Sequence, residues 1–390
     1  MIEGSKDTKL NRRLRLGMVG GGRGAFIGAV HRMVARLDDR WDFVAGALSS
    51  DPERARLSGE DLRLAPDRIY TDFAAMAEAE KARPDPIDAV AIVTPNHMHA
   101  APAKAFLNAG IHVICDKPLT TTRQDADDLA RLAAERNLIF AVTHNYTGHP
   151  LVRQARAMVA AGDIGRLRVV QVEYAQDWLT TALEETDHKQ ARWRTDPAIS
   201  GPVGAVGDIG THAFNLAEFI AGAEVASLAA ELSVFVAGRR LDDNAHMMLR
   251  FANGARGMLW CSQVAVGNEN GLRIRLYGDK GGLEWQQENP NVLVFSPLGE
   301  PPRLIRRNGA GTMPVAQAAS RIPAGHPEGY LEAFAQLYSD IAELITARLE
   351  GREPAEFAQL VPRALDGVRG VRFIEAAVKS ANANGGWAEI

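Results

Sequence analysis

Asp208 and His212 stand four residues apart in the run GAVGDIGTHAFN, residues 204–215. At the start of a helix, that spacing puts both side chains on one face. A carboxylate and an imidazole so placed can converge on one substrate hydroxyl, with His212 as general base and Asp208 orienting it or binding a neighbouring hydroxyl. Two plainer uses compete: a helix N-cap by Asp208 beside an incidental His212, or a metal site, for which the chain offers no obvious third ligand. No metal is therefore expected. Lys117 follows the apolar run His112–Cys115 in Asp116-Lys117-Pro118. In a parallel sheet it would lie just past the C-terminal end of a strand, the edge where open α/β sheets bind ligands. An ammonium there can donate to a substrate oxygen and stabilise charge developing on it.

A third chemical feature is a glycine turn. Glycine makes up 36 of 390 residues, about 9% against a usual ~7%. Six of these glycines are Gly17, Gly20, Gly21, Gly22, Gly24 and Gly28. They separate a strand-like run from a helix-like one, the setting in which backbone N–H groups and a helix N-terminus can approach a pyrophosphate. A strict G-x-G-x-x-G is absent. Gly20 and Gly22 fill two slots and Ala25 the third, unless a longer turn hands the packing role to Gly28. The expected cofactor contacts here are Gly20, Gly22, Arg23, Gly24, Ala25, Phe26 and Ile27. The second strand ends in Leu48-Ser49-Ser50-Asp51-Pro52-Glu53-Arg54. A carboxylate at that tip suits the ribose 2′-hydroxyl of NAD, and an arginine the 2′-phosphate of NADP. With Ser49 and Ser50 at the tip, Asp51 slightly late and Arg54 a turn beyond, NAD and NADP both remain open.

The elements that must carry these groups read as two regimes. Residues 14–143 alternate short β-branched runs (14–19, 43–48, 89–94, 112–115, 139–143) with stretches of helical length and period (25–37, 73–83, 99–109, 123–136). Asp51-Pro52 opens a further helix. Strand alternating with helix predicts a doubly wound parallel sheet. Beyond about residue 145 the rhythm changes. A helix over 151–160 precedes an alternating run at 167–174, and strands at 232–236, 246–251, 255–262 and 272–277 are joined by hairpin turns. The second half is therefore expected to be α+β around a large, mainly antiparallel open sheet. Residues 308–326 read as a long surface loop, and 328–349 and 362–381 as closing helices. The expected division is a nucleotide-binding domain over 1–145 and a substrate domain over 146–390.

Composition excludes other classes. A 46% hydrophobic fraction with 24% charged residues fits a folded globular chain. The near-balanced charge of −4 without a long basic run argues against nucleic acid as a partner. No stretch approaches the ~20 apolar residues that span a bilayer, and the glycine-broken N-terminal run does not read as a signal segment. Cys115 and Cys261 sit in apolar strand-like runs, so buried free thiols in a reducing cytoplasm are expected.

Residues 89–119, AVAIVTPNHMHAAPAKAFLNAGIHVICDKPL, and the 204–215 run resemble, together with the glycine turn, the Gfo/Idh/MocA family of glucose–fructose oxidoreductase and inositol dehydrogenase relatives. The resemblance covers nearly the whole chain. It implies an NAD(P)-dependent oxidoreductase acting on a sugar, sugar acid, glycoside, cyclitol or similar polyol, with a Rossmann domain followed by a domain whose open sheet often mediates oligomerisation. A homodimer or homotetramer is accordingly expected. The family's Glu-Lys-Pro stands here as Asp116-Lys117-Pro118, where Asp keeps the charge but shortens the reach. Its Asp-x-x-x-His stands as Asp208 and His212. Thr94, Pro95 and Asn96 resemble the positions beneath the nicotinamide ribose, and His99 heads the next helix as a further cofactor candidate. His97 reads as a loop histidine.

Substrate contacts are sought between 174 and 194, where Tyr174, Gln176, Asp177, Trp178, His188, Lys189, Arg192, Trp193 and Arg194 mix aromatic faces with polar groups, as sugars require. Trp178, Lys189, Trp193 and Arg194 are the leading candidates, joined by Tyr146, Arg153 and His326 from elsewhere in the chain. The two tryptophans could equally be core anchors. Lys189, Arg192 and Arg194 also raise an acidic substrate such as a uronate or sulfo-sugar. The expected reaction is hydride transfer between a hydroxyl carbon and the nicotinamide. Relatives that cleave glycosides through a transient keto-sugar share the same motifs and form the main alternative, and a non-catalytic ligand sensor is a third reading.

Overall fold

The computed structural model describes residues 10–390, so residues 1–9 of the expected first domain lie outside the described part. The first half runs β1 (Leu14–Gly20), α1 (Phe26–Leu37), β2 (Trp41–Ala47), α2 (Pro52–Asp61), α3 (Phe73–Ala82), β3 (Ala89–Val93), α4 (Ala100–Asn108), β4 (His112–Cys115), α5 (Arg123–Glu135) and β5 (Phe140–Val142). All five strands are parallel, in the order β2-β1-β3-β4-β5. β3, β4 and β5 are buried at every residue, which is why they read as unbroken apolar runs. Local caps set the helix starts: Asp51, Asp72 and Thr122 each accept a backbone N–H three residues on. The order reverses between β1 and β3, and the crevice beyond their carboxyl ends is the ligand edge of such a sheet.

The second half runs α6 (Pro150–Ala161), β6 (Leu167–Ala175), α7 (Lys189–Arg194), α8 (Pro197–Ser200), a π-helical turn (Val206–Gly210) and α9 (Thr211–Ala221). Strands follow: β7 (Val225–Ser233), β8 (Asn244–Phe251), β9 (Arg256–Ser262), β10 (Gly271–Gly278), β11 (Gly281–Gln286), β12 (Val292–Pro297) and β13 (Arg303–Arg306). The chain closes with α10 (Pro314–Ala318), α11 (Tyr330–Glu350), α12 (Ala364–Asn382) and β14 (Ala388–Glu389). Nine strands form one sheet, β13-β12-β11-β10-β6-β9-β8-β7-β14, antiparallel throughout except for the β6–β9 pair. A single apolar cluster joins the inner residues of this sheet to α6, α9 and α12, with Phe214 and Phe373 stacked at 4.4 Å.

Two expected elements shift. The strand expected at 232–236 lies earlier, at Val225–Ser233, because the Asp243 carboxylate takes the amides of Phe235 and Val236 out of any ladder. The expected 308–326 loop contains α10, started by Pro314.

The described residues divide into two compact units, 10–145 with 334–368, and 146–333 with 369–390. The expected second domain therefore gives up residues 334–368 to the first unit. The physical reason is aromatic packing on α11: the Trp41 Nε1–H donates to the Tyr338 carbonyl at 3.0 Å, and His31 packs edge-on against Phe334 and Tyr338. Arg363 extends the edge of β5 through a bridge to Ala141.

Candidate active site

In the first unit every candidate group follows the carboxyl end of a parallel strand. The β1–α1 turn is shaped by absence of side chains. Gly20 has φ +79°, and a Cβ there would meet the Thr94 methyl at 2.9 Å. A Cβ at Gly22 would sit 2.6 Å from the Leu48 carbonyl oxygen. Gly28 packs against Gly21 so closely that any Cβ would collide with its backbone. The third fingerprint role thus belongs to Gly28, while Ala25 is the extended residue preceding α1, and Phe26 and Ile27 open the helix. Arg23 is held by Asp61 at 2.5 Å, and Arg54 lies across the turn, donating to the Arg23 carbonyl. The Asp51 carboxylate caps α2 through the Arg54 N–H at 2.7 Å, and the Ser49 hydroxyl accepts from the Asp51 N–H at 3.2 Å. Ser50 is exposed beside them. A side-chain-free cradle opening on a helix N-terminus is what a dinucleotide pyrophosphate needs, so these residues fit NAD.

Along the same edge, Thr94, Pro95 and Asn96 follow β3, and the Thr94 hydroxyl donates to the Met98 carbonyl at 3.0 Å. His99 is fully buried, with Nε2 on the Thr94 carbonyl at 2.9 Å and Nδ1 on the Pro118 carbonyl at 2.9 Å. It stitches the loops after β3 and β4 together. Burial lowers its pKa from the ordinary histidine value. Asp116 likewise faces inward. Its Oδ1 accepts from the Thr143 hydroxyl at 2.6 Å and lies 3.1 Å from His31 Nε2, while His31 Nδ1 meets the Tyr338 hydroxyl at 2.7 Å. Burial acts to raise the Asp116 carboxyl, but His31 and Thr143 more than offset it, leaving it below its ordinary value. The shorter Asp thus meets partners inside the unit, and Lys117 alone of that pair remains the candidate for reacting atoms. The Lys117–Pro118 peptide is cis.

Two further residues follow β5 at this edge, and only the sheet-edge rule could have found them. His144 is buried and pushed down to about 3, by desolvation first and the Lys117 charge second. Asn145 Nδ2 is buried without a hydrogen-bond partner among the described residues, a donor suited to a ligand.

In the second unit Asp208 sits within the π-helical turn and His212 in the first turn of α9. The expected α-helical start is therefore a wider turn, a form that recurs at functional sites. Asp208 Oδ2 accepts from Arg194 Nε at 3.2 Å and from Gln263 Nε2 at 2.9 Å. The Arg194 guanidinium also lies over the Trp193 ring, 4.3 Å from its centroid, and 5.9 Å from that of Trp178. These three substrate candidates are brought together around Asp208. His212 is buried, with its ring centroid 4.9 Å from that of Tyr146 in an edge-on contact and 6.3 Å from that of Tyr174, which is tilted against it. Gln263 and Asn270 carry no motif and were invisible to spacing.

Tyr146, a substrate candidate, turns out to be committed within the unit. The Tyr174 O–H donates to Asn270 Oδ1 at 2.7 Å, which leaves the Tyr174 oxygen to accept from the Tyr146 O–H at 2.5 Å. Asn270 Nδ2 in turn donates to the Tyr146 oxygen at 3.4 Å. Three side chains close a one-way ring, fixing the amide orientation. Gln176 Nε2 adds a second donor to Asn270 Oδ1 at 2.9 Å, and Trp178 Nε1 donates to Gln176 Oε1 at 3.0 Å. Tyr146 therefore packs against the His212 ring with its hydroxyl proton committed to Tyr174. Arg153 is fully buried and donates to the Thr147 carbonyl at 3.1 Å. Lys189 is exposed at the first residue of α7, apart from the Asp208 cluster's hydrogen bonds. His326 is exposed in a loop whose carbonyls are held by buried Arg307, which also pairs with Glu328 at 2.8 Å.

Residues 14–144 match the model of an oxidoreductase family with an NAD-binding Rossmann fold, and residues 152–284 match the GFO/IDH/MocA C-terminal domain. The chain is 37% identical over 385 residues to an uncharacterized oxidoreductase of Bacillus subtilis, covering 97% of this chain and 98% of that protein. An oxidoreductase from Sinorhizobium meliloti superposes with a TM-score of 0.87 at 54% identity, over 96% of this chain and 99% of the other. An inositol dehydrogenase homolog from Azotobacter vinelandii, solved with NADH and myo-inositol, superposes with a TM-score of 0.89 at 37% identity, over 97% of this chain and 98% of the other.

Proposed function

From the premise that the chain belongs to the Gfo/Idh/MocA family of NAD-dependent oxidoreductases, we propose that it oxidises a ring hydroxyl of a neutral polyol, a cyclitol or sugar, and reduces the ketone in reverse. The single observation that carries this reading is the Asp208 carboxylate, held by Arg194 and Gln263, four residues before a histidine whose ring is braced by two tyrosines. The bound nicotinamide supplies the hydride acceptor. Lys117 donates to the hydroxyl oxygen and stabilises the charge that grows on it as the C–H bond breaks. His212 takes the hydroxyl proton, and Asp208 orients the imidazole and binds a neighbouring hydroxyl. Trp178 and Trp193, stacked with Arg194, offer the flat apolar surface that the C–H face of a ring prefers.

A neutral substrate is favoured over the acidic one that Lys189, Arg192 and Arg194 raised. Arg194 is matched by Asp208, and Arg192 by Asp187 at 3.0 Å. The relative solved with myo-inositol supports the same class. A panel of inositols, neutral sugars, glycosides and uronates, assayed with NAD and NADP, tests the proposal. Neutral polyols should reduce the nicotinamide with kcat/KM at least about tenfold above their uronate counterparts, a difference of about 1.4 kcal/mol. A preference for uronates overturns the substrate class, and no reduction with any polyol overturns the reaction. Release of aglycone without net reduced cofactor would instead identify glycoside cleavage.

Assembly through the open sheet is part of the same proposal. Met248 and Met258, register partners on β8 and β9, are 58% and 45% exposed on the face opposite the helices. A dimer or tetramer by sedimentation, converted to a smaller species by Met248→Lys with Met258→Lys, is the expected outcome. Two buried free cysteines support a reducing compartment, the cytoplasm. Among the described residues, no helix is long and apolar enough to cross a membrane.

A further inference from the structure

The segment that carries Asp208 and His212 begins with Gly201-Pro202-Val203-Gly204-Ala205-Val206-Gly207 and provides no side chain to cap it. The first N–H groups of a helical segment need acceptors, and here those donors are buried. All three come to rest on one residue far along the chain. Asp242 Oδ1 accepts from the Gly204 N–H at 2.7 Å, its main-chain oxygen from the Ala205 N–H at 2.9 Å, and Oδ2 from the Val206 N–H at 2.8 Å. The fit is closed sterically as well, since a Cβ on Gly204 would collide with the Asp242 carbonyl.

The neighbouring residue reaches the other end of the same segment. The Asp243 carbonyl accepts from the Gln263 N–H at 2.8 Å, and the Gln263 side chain donates to Asp208 Oδ2 at 2.9 Å. Asp243 is itself immobilised by Arg239 at 3.2 Å and by the Phe235 and Val236 amides.

We propose that Asp242 is a positioning residue for the Asp208–His212 pair, capping three consecutive amides so that the π-helical turn starts at a fixed place, with Gln263 as the second tether. The inference rests on the catalytic reading of that pair given above. Two acceptor oxygens on one side chain are essential to it. An Asn at this position keeps the shape but turns one oxygen into an NH2 that faces an amide donor.

The test uses the full-length enzyme with Asp242→Asn and Gln263→Leu. For Asp242→Asn, hydrogen exchange at residues 204–206 should accelerate at least tenfold. The kcat for the best neutral polyol should fall at least tenfold per folded molecule, while NADH affinity measured by fluorescence titration stays within twofold. A merely structural role predicts a lower melting temperature with wild-type kcat for the folded fraction, and that result overturns the proposal, as does unchanged exchange. Should Asp242→Asn not fold, Gln263→Leu decides: a tenfold loss of kcat with unchanged NADH affinity supports the two-tether device, and wild-type kcat overturns it. If the wild-type enzyme turns over no polyol, the functional reading fails by itself, while the exchange measurement still tests the cap.

Discussion

The two units solve the problem of placing a reactive side chain in opposite ways. In the first, the candidate groups sit within a few residues of strand ends: Gly20 to Ala25 after β1, Thr94 to Asn96 after β3, Lys117 after β4 and Asn145 after β5. The sheet itself delivers them, and their supports are mostly main-chain. In the second, Asp208 and His212 depend on Arg194, Gln263, Tyr146, Tyr174 and Asn270, drawn from a helix, loops and a strand up to dozens of residues away. A parallel sheet therefore makes a site that is local in sequence, whereas an open antiparallel sheet needs a web of polar side chains to brace one.

That contrast breaks most easily at the chemistry. Lys117→Ala should lower kcat by about 10²–10³-fold and His212→Ala by about 10²–10⁴-fold, each with NADH still bound. Full turnover by either variant would remove that side chain from the reaction. The bracing is tested next. Arg194→Met, which frees Asp208 Oδ2 from its ion pair, should reduce kcat about tenfold, of order 1.4 kcal/mol, without changing NADH affinity.

Acid should act on both units alike. His144 in the first and His149 in the second are pushed by burial down to about 3, so each stays neutral in the fold and takes up a proton near pH 6.5 once unfolded. Below pH 6.5 the unfolded chain binds more protons, and stability falls with pH by up to about 1.4 kcal/mol per unit for each histidine. Asp242 works in the other sense. Burial raises it to about 6, so between about 6 and 4 the folded chain holds a proton that the unfolded chain has released, returning part of the loss. Urea melts at pH 7 and 5 should show the net decline, and His149→Phe should shrink it. The smallest effect is expected from Tyr338→Phe, which deletes the hydroxyl facing His31. It should cost about 1 kcal/mol in the first unit and leave kcat within about twofold.

The same contrast explains what could be read from the chain alone. Apolar runs such as Ala89–Val93 and the caps Asp51 and Thr122 announce the parallel sheet, because burial on both faces and local capping leave their marks in adjacent residues. The places of Lys117 after β4 and of Asp208 and His212 around the start of α9 follow from position and spacing. Those of Asn270, Gln263 and Asp242 do not, since a single polar residue before or after a strand has no period and no motif. His99, Asp116, Tyr146 and Arg153 also have internal partners that no spacing announces, because residue type tells which bond can form but not which partner arrives first. The late strands β11 to β13 fall in the strand-rich stretch but lack individual bounds in the chain, because they are short and joined by turns of glycine, proline and charged residues.

The return of residues 334–368 to the first unit gives the chain a timetable. While the protein is being synthesised, the nucleotide-binding sheet emerges complete by residue 145, yet Trp41 and His31 wait for Phe334 and Tyr338, which leave the ribosome almost two hundred residues later. During that interval an aromatic surface and a histidine lie open to solvent. Residues 334–368 are thus a delayed clasp, and the first 145 residues expressed alone would carry that exposed patch as a liability for self-association.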